Sequence, residues 1–300
     1  MAAAIDVRDL RKRYGDLHAV DGVSFSVEQG EMFGILGPNG AGKTTTLEIT
    51  EGLRPADSGS VSLLGLPPWP RNPVLLPRIG VQLQATALLE RLTAREQLQV
   101  FAGLYGVEEA RVSEVLEIVG LTDKAETRAE KLSGGQAQRL SIACAVAHRP
   151  EVLFLDEPTA GLDPQARRNL WDLVREIRGN GTTVVLTTHY LEEAEALCDR
   201  VAIMDHGKIL AMDTPAALVR GLDVPVKISL PPDALSVAEA ETLPGVSAAR
   251  VAAGALVLEA DNPAAALTSL AENGKLDGIQ VSGATLEDVF LSLTGREYRA

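Results

Sequence analysis

MFGILGPNGAGKTTTLEITEGL, residues 32–53, decides what kind of fold this chain can adopt. MFGIL, Met32 to Leu36, reads as a buried strand, and KTTTLEITEGL reads as a helix. Between them lies GPNGAG, so that Gly37 to Thr44 fits G-x-x-x-x-G-K-[ST] with a strand before it and a helix after it. Glycines let the backbone curl until successive N–H groups face one phosphate, and the helix N-terminus adds its positive end. On this reading Gly37, Pro38, Asn39, Gly40, Ala41 and Gly42 form a phosphate cradle, with Thr45 in the first helical turn behind it. Lys43 brings a point charge to the β- and γ-phosphates, and Thr44 offers a hydroxyl to Mg²⁺. A plain glycine turn is the alternative, and the flanking strand and helix argue against it.

Other apolar runs end in polar residues in the same manner. EVLFLDEP, residues 151–158, delivers Asp156 and Glu157 to the carboxyl end of a buried strand. Asp156 is suited to a Mg²⁺ shell and Glu157 to polarising an attacking water. By itself DEP also reads as an acidic turn after a core strand; beside a phosphate loop, the catalytic reading is favoured. His189 follows TTVVLTT, where a lone histidine is more often structural, but the carboxyl end of a core strand is where a γ-phosphate would lie. Gln84, closing IGVQLQ, offers an amide oxygen to the same metal, although a glutamine in a loop is weak evidence. Tyr14, in KRYGDLHAV, reads either as a surface tyrosine or as a ring that stacks on adenine.

A second anion seat is written into KLSGGQAQRL, residues 131–140. Ser133 is placed to cap the helix that follows, and Gly134 and Gly135 leave its first N–H groups uncovered. One phosphate loop already wraps its own nucleotide. The second seat therefore needs a different γ-phosphate, or a different side of the same one; a symmetric pair of subunits, each closing the other's nucleotide, satisfies that, with a simple serine-capped helix start as the other reading.

Strands alternating with helices through residue 220 predict an α/β domain with a largely parallel core sheet. Thr93 and Glu96 stand at capping-box spacing before a helical run. From Gly221 the chain becomes alanine-rich, and its pattern reads β-α-β-β-α-β, a small α+β module of ferredoxin-like order. A last helix, TLEDVFLSLTG, sets Leu286, Val289, Phe290 and Leu293 on one face. Two domains are thus expected, 1–220 and 221–300.

The 28 basic and 41 acidic residues give a formal net charge of −13, which opposes a nucleic-acid partner and adsorption to an anionic bilayer. No apolar run approaches the ~18 residues of a membrane helix, and MAAAIDVRDL has no signal pattern. Cys144 and Cys198 have no metal-binding spacing and read as buried core thiols. These features predict a soluble cytoplasmic chain without a lipid anchor.

In order, GPNGAGKT, VQLQ, LSGGQ, VLFLDEP, AGLD and TTH resemble the nucleotide-binding subunit of ABC (ATP-binding-cassette) transporters over about residues 4–220. The resemblance implies a P-loop ATPase fold with a helical subdomain carrying the signature. It also implies a head-to-tail homodimer enclosing two ATP and Mg²⁺. In that arrangement Glu157 is the general base, His189 the γ-phosphate switch and Gln84 the coupling-loop residue and metal ligand beside Thr44 and Asp156. Ser133, Gly134, Gly135 and Gln136 act on the partner's ATP, Asp163 crosses the dimer interface, and Tyr14 stacks on adenine. Ala137 stands where the family often has a charged or amide residue, with no loss of activity expected.

FLDEPTAGLDP, TTHYLEEAEALCDRVAIMDHGKIL and GATLEDVFLSLTGRE are similar to ATPase subunits of drug and antibiotic exporters of the daunorubicin-resistance type. That branch implies a separate membrane permease, docked near ATALLERLTAREQL, and a position on the inner face of the membrane. The cargo would be a drug, antibiotic or lipid-like compound. A solute importer keeps the same chemistry, but importers with an extra C-terminal domain usually carry a longer one. A permease-free ATPase acting on ribosomes or chromosomes is opposed by the single cassette and by the short stretch between Gln84 and Ser133.

Overall fold

The computed structural model describes residues 3–82, 88–222, 224–252 and 254–295. Its contacts divide the chain into two compact units, one ending at Pro215 and the other beginning at Ala216.

The first unit opens with a long antiparallel hairpin, β1 (Ala3–Tyr14) and β2 (Leu17–Glu28), followed by β3 (Met32–Leu36), α1 (Lys43–Thr50), β4 (Ser58–Leu63) and β5 (Ile79–Gln82). Three helices come next: α2 (Ala94–Leu104), α3 (Glu109–Ile118) and α4 (Gly134–Val146). They pack on one another, and α4 also lies against β5. The Thr93–Glu96 capping box is present at the start of α2. The unit continues with β6 (Val152–Asp156), α5 (Pro164–Gly179), β7 (Thr183–Thr188), α6 (Leu191–Leu197), β8 (Arg200–Asp205) and β9 (Lys208–Asp213).

Six of these strands form one sheet in the order β5-β6-β7-β3-β8-β9, parallel except for the edge strand β9. Every residue of β3, β6 and β7 is buried, as expected of central parallel strands covered on both faces. The amphipathic helix α5 buries Leu170, Leu173, Val174 and Ile177, a stripe at helical spacing. The sequence reading missed a second sheet, antiparallel and ordered β2-β1-β4. Phe25 of this sheet stacks on Phe33 of the parallel one at 5.2 Å, so both belong to one core. Burying a phenylalanine in such a core contributes about 1.5–3 kcal/mol.

The second unit holds α7 (Pro215–Arg220, from Ala216 on), β10 (Val226–Leu230), α8 (Val237–Glu241), β11 (Val246–Ala252), β12 (Ala255–Ala260), α9 (Pro263–Glu272), β13 (Gln280–Ser282) and α10 (Leu286–Thr294). Its sheet runs β11-β12-β10-β13 and every pairing is antiparallel. Leu256, Leu258 and Ala260 alternate into its core with Ile228 and Leu230. On α10, Leu286, Val289 and Phe290 are buried as expected, but Leu293 is 41% exposed. Seven residues are two turns, and an apolar residue that far along drifts off the buried face unless something packs over the helix end.

Candidate functional site

Register brings the site together. Leu36 of β3 pairs beside Thr188 of β7, and Asp156 of β6 pairs beside Thr187. The three neighbouring strands therefore end level. They present the 37–42 loop, the Asp156–Glu157 pair and His189 at one edge of the sheet, where ligands of parallel sheets sit.

The loop can take this path only with glycine at two close approaches. A Cβ on Gly37 would lie 2.2 Å from the Met204 carbonyl oxygen, and one on Gly42 would lie 2.1 Å from that of Ala19. Gly42 also has φ +101°, in the region side chains avoid, and as the N-cap of α1 it supplies no capping oxygen. The first-turn N–H groups of α1 are thus left for an anion. Ala41 is buried, Pro38, Thr44 and Thr45 are half-buried, and Asn39 and Gly40 are exposed at the loop tip.

Lys43 folds back over this loop. Its Nζ donates to the Gly37 and Pro38 carbonyl oxygens at 2.8 and 3.1 Å and lies 3.2 Å from Glu157 Oε1. The other carboxylate oxygen of Glu157 lies 3.1 Å from His189 Nδ1. Lysine, glutamate and histidine thus form one continuous polar chain across the ends of three strands. Glu157 holds φ +47°, a conformation uncommon for a residue with a side chain. Its N–H donates to Thr187 Oγ1 at 3.0 Å, which helps hold that turn.

Asp156 Oδ1 accepts hydrogen bonds from Thr44 Oγ1, at 3.2 Å, and from Thr187 Oγ1. Burial pushes the Asp156 carboxyl above its ordinary range; the two hydroxyls and Lys43 oppose this shift, and the Glu157 charge adds to it. Thr187 is the residue the sequence reading passed over. Its hydroxyl donates to Asp156 and accepts from the Glu157 N–H, both within its hydrogen-bonding capacity. The available signal was a hydroxyl at the end of an otherwise apolar, fully buried strand.

The remaining predicted residues lie at helix and strand ends. Ser133 caps α4: its Oγ accepts from the Gln136 N–H at 3.3 Å, and Gln136 Oε1 accepts from the Ser133 N–H at 3.0 Å. Gly134 has open space where a side chain would stand, while a Cβ on Gly135 would lie 3.2 Å from that of Ala166. Asp163 caps α5, accepting from the Gln165 and Ala166 N–H groups at 3.0 and 2.9 Å. Tyr14, 41% exposed at the end of β1, has Lys12 and Arg54 at 5.8 and 5.6 Å from its ring centre. Gln84 lies outside the described residues. Both cysteines are buried and reduced.

Parallel strands that end together at a glycine-rich loop, with lysine and a hydroxyl at the start of the next helix, define a P-loop nucleotide-binding protein. Comparison with known proteins narrows the class. The ABC transporter family profile matches residues 20–160. The Nod factor export ATP-binding protein I of Burkholderia pseudomallei (strain 1710b) is 42% identical over 302 residues, covering 98% of each chain. The linearmycin resistance ATP-binding protein LnrL of Bacillus subtilis (strain 168) is 38% identical over 309 residues, covering 98% of this chain and 99% of its own. Among solved structures, cbiO1 from Clostridium perfringens, part of the ABC transporter complex cbiONQ, superposes with a TM-score of 0.68 at 28% identity, covering 74% of this chain and 92% of that one. An ATP-binding cassette of an ABC transporter in its ADP conformation gives 0.65 at 26% identity, covering 71% and 92%. The chain belongs to the ATP-binding subunits of ABC transporters, a family of ATP-hydrolysing proteins.

Proposed function

We propose that this chain is the ATP-driven motor of an exporter, working as a head-to-tail homodimer on a separate membrane permease. The observation that carries the reading is the Lys43–Glu157–His189 chain at the ends of β3, β6 and β7. An arriving ATP draws Lys43 from Glu157 to its phosphates, which frees the carboxylate to take a proton from the attacking water. His189 then bridges Glu157 and the γ-phosphate. The Asp156 and Thr44 oxygens are hard donors that suit Mg²⁺, and substrate phosphates complete such a site. Bound there, the metal would neutralise charge on the phosphates. Gln84 would join it as coupling residue.

Ser133 to Gln136 of each subunit close over the partner's nucleotide, with Asp163 at the same interface and Tyr14 stacked on adenine. Closure of the dimer moves the permease, and loss of phosphate reopens it. Export is supported by relatives named for Nod factor export and for linearmycin resistance. A drug, antibiotic or lipid-like cargo fits that company. Among the described residues no helix is long and apolar enough to cross a membrane, so attachment to the inner face runs through the permease. The relatives span the second unit as well, and we assign residues 221–300 as an accessory domain of ferredoxin-like order.

The deciding experiment is affinity purification of the Glu157→Gln protein from native membranes with ATP and Mg²⁺. A polytopic membrane protein in the eluate is expected. Recovery of ribosomal or other soluble proteins alone would overturn the motor reading.

A further inference from the structure

α5 packs on α6, and two contacts between them bracket His189. The first runs through Tyr190. Its ring centre lies 4.2 Å from that of His189, tilted by 42°, and the guanidinium carbon of Arg167, on α5, lies 3.9 Å from the same tyrosine centre. The Nε of Arg167 is buried with no hydrogen-bond partner among the described residues, so a cation–π contact holds this group where a hydrogen bond would be usual. Tyr190 is also the N-cap of α6, a place where Ser, Thr, Asp or Asn would supply a capping oxygen. Tyrosine supplies none here, and its ring is what the position contributes.

Glu193, in the first turn of α6 and fully buried, makes the second contact. The Trp171 Nε1–H of α5 donates to its Oε1 at 3.0 Å. Burial pushes the Glu193 carboxyl up, and the Thr188 and Thr159 hydroxyls, the Trp171 N–H and the Arg167 charge oppose that shift. Thr188 directly precedes His189. Its Oγ1 accepts from the Tyr190 N–H at 2.9 Å and so closes the turn that carries the histidine. Arg167 and Trp171 stand one helical turn apart on α5, which lets a single face of that helix grip both contacts.

We infer that Arg167 and Glu193 are positioning residues for hydrolysis: through Tyr190 and Thr188 they clamp the His189 turn onto α5 and fix the imidazole beside Glu157. The inference deepens the motor reading above and rests on it. His189 Nδ1 stands 3.1 Å from Glu157 Oε2, a contact that a small rotation of the turn would break. A reacting constellation has to be held to within about 0.5 Å by side chains whose own places are locked. Sheet pairing fixes the backbone only as far as Thr188, the last residue of β7. Beyond it the stacked arginine and the buried glutamate supply the hold, and neither touches the phosphate-binding loop.

The test is steady-state ATPase of the purified full chain with Mg²⁺, alongside nuclear magnetic resonance of the protein carrying ¹³C-labelled histidine. Arg167→Met keeps the length and removes the charge. It should lower kcat about 10–100-fold, the cost of misplacing a reacting group by about 1 Å, and leave KM for ATP unchanged. Tyr190→Leu should match it, the two together should cost no more than either alone, and Tyr190→Phe, which keeps the ring, should restore most of the rate. In Arg167→Met the His189 resonance, identified by its loss in His189→Gln, should move while those of His18, His148 and His206 stay in place. Should Arg167→Met fail to fold, Tyr190→Leu against Tyr190→Phe makes the same comparison without touching α5. An unmoved His189 resonance, additive losses, or a raised KM with kcat intact overturns the clamp and leaves the motor reading standing. If His189→Ala itself hydrolyses ATP at the normal rate, the catalytic reading falls and the clamp with it.

Discussion

Lys43 and Glu157 are paired with each other: Nζ lies 3.2 Å from Oε1, and their side chains are 4% and 7% exposed. The two groups expected to meet the substrate thus neutralise one another inside the protein. Pairing keeps both charges affordable in a buried place, since either alone would carry a desolvation penalty of several kcal/mol. It also means that a phosphate must displace a carboxylate to reach the lysine.

Glu157→Gln should leave ATP binding intact and reduce hydrolysis about 10²–10⁴-fold, the usual contribution of a general base. Phosphate release at saturating ATP, beside an equilibrium binding curve, measures both. Turnover close to normal would remove Glu157 from the chemistry.

Lys43→Ala should abolish nucleotide binding and destabilise the fold by about 3–5 kcal/mol, because Glu157 loses its buried ammonium partner. Adding Glu157→Gln should recover most of the stability and none of the binding. Thermal melts of the single and double variants decide this; equal losses in the two would mean the pair is not coupled.

Thr187→Val keeps the shape of β7 and removes the hydroxyl shared by Asp156 and the Glu157 N–H. We expect about 1–3 kcal/mol of lost stability. The Mg²⁺ concentration for half-maximal ATPase should rise about 10–100-fold, as when the support of a metal ligand is cut away. An unchanged Mg²⁺ titration would count against the role given to Asp156.

Gly134→Asp separates the subunit from the dimer. The position has open space and lies in the first turn of α4, where a carboxylate suits the dipole, so folding and ATP binding should be preserved. Against a partner's phosphate, the like charge costs several kcal/mol, and hydrolysis should fall more than about 100-fold. Full activity with an unshifted melting temperature would exclude Gly134 from a nucleotide sandwich.

Glu51 gives a pH signature with a definite sign. Its carboxyl rises from the ordinary 4.5 to about 8 in the folded chain. Between those values the folded state binds more protons than the unfolded one, so this group's contribution to stability falls as pH rises and is fully lost above about pH 8. Glu51→Gln should therefore melt progressively higher than the unsubstituted chain from about pH 5 to about pH 9, the gap reaching several degrees. A gap independent of pH would reject a buried, protonated Glu51.

Much of the site was legible because its chemistry is local. Gly37 to Thr44 needs only a strand, a tight loop and a helix start in sequence, and Asp156, Glu157 and His189 each follow an apolar run that can only be a core strand. The Ser133 cap is local for the same reason, since a capping oxygen reaches two or three residues ahead; the Asp163 cap is equally local and was passed over. Contacts between residues far apart in sequence left no such trace. Lys43 to Glu157, Thr44 to Asp156 and Phe25 to Phe33 depend on which strands become neighbours, and periodicity is silent about strand order.

By itself the sequence determined that this is a P-loop protein with its reactive groups at strand ends, because glycine spacing, burial periodicity and capping are fixed within a few residues. The tertiary structure alone decided that Lys43 rests on Glu157, that Thr187 joins the two acidic residues, and that Glu51 Oε2 and His148 Nδ1 lie buried at one cleft without hydrogen-bond partners among the described residues. Those relations come from the register of β3, β6 and β7 and from the packing of α1 on β6 and β7 and of α4 on β5, where each group's partners and solvent access are set by segments far apart in sequence.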